Sequence, residues 1–137
     1  MSPTFSLAPM NDVTDTVFRQ IVTSCAAPDL FFTEFVSVDA LASEGKDAME
    51  NKLTFSEHDK NLIVQVWGLN PENYESQAKE LSKRGYVGID INMGCPVDKI
   101  IKKGACSALM NSRHLAKDII VATQNGAQDI PVSVKTR

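Results

Sequence analysis

Short apolar runs alternate with helical patterns along the whole of this 137-residue chain, and that alternation constrains its fold more than any other feature. Ser6 to Met10, Leu30 to Phe35, Asn61 to Gly68, Ile89 to Met93 and Pro131 to Arg137 read as strands. Between them, Asp15 to Cys25 carries an apolar stripe of Val17, Phe18, Ile21 and Val22, with Thr14 or Asp15 able to cap it. Val38 to Asn51 is helical with a break near Gly45, Pro71 to Lys83 has Pro at its start and Gly85 past its end, and Arg113 to Thr123 is a further helix. Strands separated by helices are parallel, joined by right-handed crossovers. A doubly wound sheet and a barrel both fit, but no GxGxxG follows the first strand. A (β/α)₈ barrel takes about 250 residues. The expected fold is therefore α/β, the N-terminal portion of a TIM (β/α)₈ barrel over residues 1–137, about five β/α units. Its first and fifth strands would be open edges prone to association.

The composition excludes several classes. Formal net charge is −3, against the overall basic balance of a compact nucleic-acid binder, so any RNA contact must come from a local patch. No apolar run is long enough to span a membrane, and MSPTFSLAPM lacks a basic segment followed by an apolar one, so a cytoplasmic location is expected. Three cysteines, Cys25, Cys95 and Cys106, have no framework spacing and read as reduced thiols. Neither His58 nor His114 stands at metal-ligand spacing from a cysteine, so no metal site is expected.

In parallel sheets of this kind, binding groups sit at the carboxyl ends of the strands. LIVQVWG carries Gln65 alone among apolar residues. IDINMG alternates Asp90 and Asn92 with Ile89, Ile91 and Met93, and VSVKTR alternates Ser133, Lys135 and Arg137 with Val132 and Val134. Period-two alternation puts each polar set on one face, which in a barrel is the interior. Gln65, Asn92 and Lys135 would then converge on one polar ligand, although each could instead be satisfied by the core. A buried lysine is rarely left unpaired, so Lys135 asks for an anionic or electron-rich partner. Gly94 and Pro96 end the fourth strand and swing Cys95 out over the mouth.

LAPMNDVTDTVFR, LFFTEFVSVDAL, VQVWG, DINMGCPVDKIIKKGACSALM and VSVKTR together resemble the tRNA-dihydrouridine synthases in order and spacing, over nearly the whole chain. The resemblance implies an FMN-dependent reductase of uridine in tRNA, with NADPH as electron donor and tRNA as partner. It implies a barrel that carries the flavin and a C-terminal helical tRNA-binding domain that this chain lacks. Hydride would pass from reduced flavin to C6 of the uracil, and a cysteine matching Cys95 would give a proton to C5 from the other face. Flavin-contacting positions match Pro9, Met10, Gln65 and Lys135, and Asn92 matches an active-site asparagine. Asn11-Asp12 stands where many members have small residues, and Cys106 stands where Gly or Ala is usual. Cys106 would be a second thiol near the site, able to confuse labelling.

The chemistry suits these residue types. A free thiol, with pKa about 8.5, is mostly protonated near neutrality and can act as a general acid. A cation at Lys135 would favour the reduced flavin, and Gln65 can offer a donor and an acceptor to the same ring edge. Lys99, Lys102 and Lys103, offset by Asp98, give the segment after Cys95 a local charge of +2 suited to RNA phosphates, or to plain solvation. The alternatives are a flavin reductase of free pyrimidines, of the dihydroorotate or dihydropyrimidine dehydrogenase kind, and a non-catalytic fragment. The spacing from GCP to SALM and the lysines between them favour the tRNA enzyme.

Overall fold

The computed structural model describes residues 2–57 and 59–137, so His58 lies outside the described residues. Five parallel strands, β1 (Ser6–Leu7), β2 (Leu30–Ser37), β3 (Leu62–Trp67), β4 (Gly88–Asn92) and β5 (Val132–Lys135), stand side by side in chain order. Each crossover adds the next strand on the same side, which curls the sheet into an arc. A doubly wound sheet would reverse direction partway. The arc is a partial TIM barrel, and β1 and β5 are its open edges.

Among the described residues six α-helices connect the strands: α1 (Thr16–Ala26), α2 (Val38–Leu41), α3 (Lys46–Glu50), α4 (Pro71–Leu81), α5 (Asp98–Ile101) and α6 (Arg113–Ala127). Asp15 caps α1 by accepting from the Phe18 N–H. Asn70 caps α4, Pro71 opens it, and a 3₁₀ turn over Ser82–Arg84 ends at Gly85, whose φ of +93° only glycine adopts without strain. The α2–α3 break falls before Gly45, as the sequence implies. The segment after Cys95, by contrast, is not a plain loop. It forms α5 and then a 3₁₀ helix over Cys106–Asn111.

The outer face of the sheet buries Leu62, Val64, Val66, Ile89 and Ile91 against the helices. Among these, α4 and α6 pack so closely that a Cβ on Gly126 would collide with the Glu75 carbonyl oxygen. The inner face holds two rows in which polar residues outnumber aromatic ones. Phe35, Gln65, Asp90 and Ser133 are register partners across β2 to β5. Ser37, Trp67, Asn92 and Lys135 form the next row toward the carboxyl ends, with Ser37 opposite Trp67 and Asn92 opposite Lys135. The interior is thus lined as the alternation predicts. A register shift between Phe32 and Phe35 inserts a bulge into β2, leaving both Thr33 and Glu34 buried.

α1 departs from expectation. Val17 and Ile21, half of its apolar stripe, are 59% and 58% exposed, whereas Arg19 is 1% exposed. Periodicity locates an apolar face but not what covers it, and this sheet is only part of a barrel. Burial on α1 is decided instead by an ion pair: the Arg19 guanidinium reaches Asp59 at 2.6 Å and the Thr14 and Thr54 carbonyl oxygens at 2.7 and 3.1 Å.

Candidate active site

The turn that presents Cys95 is built by Asn92. Its Oδ1 accepts from the Gly94 N–H at 3.1 Å and from the Cys95 N–H at 3.0 Å, so one side chain folds the backbone back over the end of β4. Its Nδ2 donates to Gln65 Oε1 at 3.1 Å, and Gln65 Nε2 donates to Asp90 Oδ2 at 2.6 Å. Ser133 Oγ donates to the other oxygen of Asp90 at 2.6 Å. A chain of hydrogen bonds thereby runs from β5 through Asp90 and Gln65 to the Cys95 turn. Asp90 lies at its root. Burial pushes its carboxyl above the usual range, while hydrogen bonds from Ser133 and Gln65 and the charge of Lys135 resist that rise.

The sequence assigns Gln65 a donor and an acceptor for a ligand. One of each is already committed to Asp90 and Asn92, and an amide then retains one N–H and one lone pair for anything beside it. The alternation makes Lys135 a buried cation in need of a partner, but it is exposed. β5 is the last strand of this sheet, and a complete barrel sets a further strand beside it. Even so, Pro9, Met10, Gln65, Asn92, Cys95 and Lys135, the residues singled out from the sequence, line one cavity of about 310 Å³ at the carboxyl ends of the strands.

The lysines do not line one cavity. All three are exposed, but Lys99 and Lys103 line a neighbouring cavity and Lys102 lines neither. The expectation for Cys106 is corrected. Its side chain is fully buried and burial pushes its thiol up to about 12, which shields it from labelling reagents, and the exposed cysteine is Cys25. Cys106 also has a φ of +53°, which gives a backbone reason why glycine suits that position.

Sequence reasoning misses the acidic loop beside the site. The bulge turns Glu34 toward the β1–α1 connection, where its Oε1 accepts from the Asp12 N–H at 2.6 Å and from Lys52 Nζ at 2.9 Å. Lys52 also donates to Asn11 and Asp12. Burial works to lower the Lys52 pKa, and the bonds to Glu34 and Asp12 more than reverse it. The unusual Asn11-Asp12 pair is the available signal in the sequence: its polar side chains need a cation, and Lys52 supplies it.

A family model described as dihydrouridine synthase matches residues 6–137. A probable tRNA-dihydrouridine synthase of Staphylococcus aureus (strain COL) is 46% identical over 136 residues, which is 98% of this chain and 41% of the relative. A probable tRNA-dihydrouridine synthase of Staphylococcus epidermidis (strain RP62A) is 44% identical, and a probable tRNA-dihydrouridine synthase 2 of Bacillus subtilis (strain 168) is 42% identical, with the same coverage. The chain thus spans about two fifths of the length of the relatives it matches.

Proposed function

This chain belongs to the dihydrouridine synthase family, and from that premise we propose that it is the N-terminal part of the catalytic barrel of an FMN-dependent, NADPH-reduced enzyme that converts uridine to dihydrouridine in tRNA. The observation that carries the proposal is the convergence of Pro9, Met10, Gln65, Asn92, Cys95 and Lys135 on one cavity. These residues fit a flat, electron-accepting heterocycle: Pro9 and Met10 are apolar wall, Gln65 retains a donor and an acceptor, and Lys135 brings a cation. Among the described residues lining the cavity, the basic side chains are Lys135 and Arg137, so the phosphate grip is assigned to later strands of a complete barrel.

When bound, the flavin supplies the hydride for C6 of the uracil. Cys95 holds a proton at Sγ for C5 on the opposite face of the base. Asn92 keeps that thiol over the mouth through the Gly94 and Cys95 amides, and Asp90 fixes the direction of the Gln65 amide. Arg137 ties the same turn to the end of β5 by donating from Nε to the Gly94 carbonyl at 2.9 Å. The target base must leave its stack to arrive there. Lys99, Lys102 and Lys103 are assigned to the RNA backbone. No helix among the described residues is long and apolar enough to cross a membrane, and the free state of all three cysteines supports a reducing, cytoplasmic setting. The test is to supply the purified intact enzyme with NADPH and unmodified tRNA and to map dihydrouridine by mass spectrometry. Product at a defined uridine is expected; turnover of free uracil or dihydroorotate with none on tRNA would overturn the proposal.

A further inference from the structure

A second cavity, of about 400 Å³, opens beside the Cys95 cavity, and the two share Asn11 and Phe35 as common wall. Trp67 lines it from the end of β3, Met49 from α3, and Lys99 and Lys103 from α5 and the turn after it. Trp67 is only half-buried, although it sits on the inner face of the sheet in the same row as Asn92. Lys99 and Lys103 are exposed, and neither pairs with a carboxylate among the described residues. Lys52 differs from them. Its ammonium is already held by Asn11, Asp12 and Glu34, so it closes the wall and is not a free cation.

An aromatic surface rimmed by two uncommitted ammonium groups is the chemistry that takes a nucleotide, the base stacking and the phosphodiester meeting the cations. Which nucleotide follows from position. A uridine drawn to Cys95 has covalently attached neighbours, so a neighbour meets an adjoining pocket at high effective concentration. The geometry points to this cavity as the subsite for the nucleotide next to the target uridine, its base against Trp67 and the linking phosphate at Lys99 and Lys103. The inference rests on the tRNA reading above and adds a second base to it. The enzyme would then read a dinucleotide step, and part of its choice of uridine would come from the neighbour. A nicotinamide dinucleotide also carries bases and phosphates, but its residues would be felt in the reduction of the flavin and not in the attack on RNA.

The test uses the intact enzyme and tRNA transcripts with an abasic site on one or the other side of the target uridine. One of the two transcripts should lose about tenfold or more in kcat/KM, within the range for a lost stacking partner. Trp67→Ala should lose a similar factor on the intact transcript and nothing further on that abasic one. Trp67→Phe should recover most of the rate, and flavin reduction by NADPH should be unchanged throughout. The abasic arm uses wild-type enzyme and so stands even if Trp67→Ala does not fold. Full rates on both abasic transcripts, or a Trp67→Ala defect confined to flavin reduction, would overturn the subsite while leaving the tRNA reading intact. Failure to reduce any uridine in the intact transcript would overturn both.

Discussion

Two buried carboxylates in this chain face opposite fates. Asp59, under α1, is bonded by the Arg19 guanidinium, by the Ser56 N–H at 2.8 Å and by the Thr16 hydroxyl at 3.2 Å. Asp90, inside the arc, is bonded among the described residues by the neutral Gln65 amide and Ser133 hydroxyl. Burial raises both, and it is the largest influence on each. At Asp59 the Arg19 bond, the Ser56 N–H bond, the Arg19 charge and the Thr16 bond together reverse it and the carboxyl ends below its ordinary range, while at Asp90 it prevails and the carboxyl ends above. The largest single difference is the cation bonded to Asp59. The first network is closed: charge meets charge, and most of its hydrogen-bonding groups are used. The second keeps spare capacity at Gln65 and is strung toward Cys95. On the proposed reading the closed network serves folding and the under-compensated one serves chemistry.

The sharpest way to break this comparison is to unpair each carboxylate. Arg19→Met should strand Asp59 and cost about 3–5 kcal/mol in the urea unfolding free energy of the intact protein, whereas Asp90→Asn should change it by no more than about 1 kcal/mol. Equal losses would mean that both networks are structural.

Thiol accessibility separates core from mouth next. Under native conditions, alkylation followed by mass spectrometry should modify Cys25 fully and Cys95 more slowly. Cys106 should react only after unfolding, as its full burial and a thiol pushed up to about 12 require. Modification of native Cys106 at the rate of Cys95 would show that the 3₁₀ segment opens readily.

pH sharpens the contrast through its sign. A depressed carboxylate contributes stability that is present above its unfolded pKa, about 3.9, and is lost as pH falls through the folded value. The Arg19→Met penalty should therefore shrink below about pH 4. A raised carboxylate does the reverse: the folded state holds its proton more tightly, so stability falls as pH rises from about 4 through the folded pKa of Asp90. Wild type should lose ground to Asp90→Asn across that rise, and parallel pH profiles would contradict the assignment.

How far the sequence reveals these regions follows from the range of the interactions involved. The polar interior is legible because alternation along β3, β4 and β5 is local, and so is the cap at Asp15. The Arg19–Asp59 pair spans 40 residues and leaves no periodic trace. The β2 bulge is hidden for the same reason: one extra residue in TEF is visible only against the register of β3. β1 shrinks to Ser6–Leu7 because a strand with a single neighbour has few partners to define it.

The smallest effect is expected at the surface. Neutralising Lys102 and Lys103 should weaken tRNA binding and flatten its log–log salt dependence by roughly one unit for each phosphate no longer neutralised. An unchanged slope would make that turn a solvated one, outside both networks.

The central claim is that the mouth network exists to hold a proton donor at Cys95, and its most direct test is to follow the two half-reactions of Cys95→Ala in the intact enzyme by stopped flow. The account predicts unchanged flavin content and unchanged reduction by NADPH, with reoxidation by tRNA slowed by about 10² or more, the usual contribution of a positioned acid. Reoxidation by tRNA at the wild-type rate, or an equal slowing in Cys106→Ala, would contradict it.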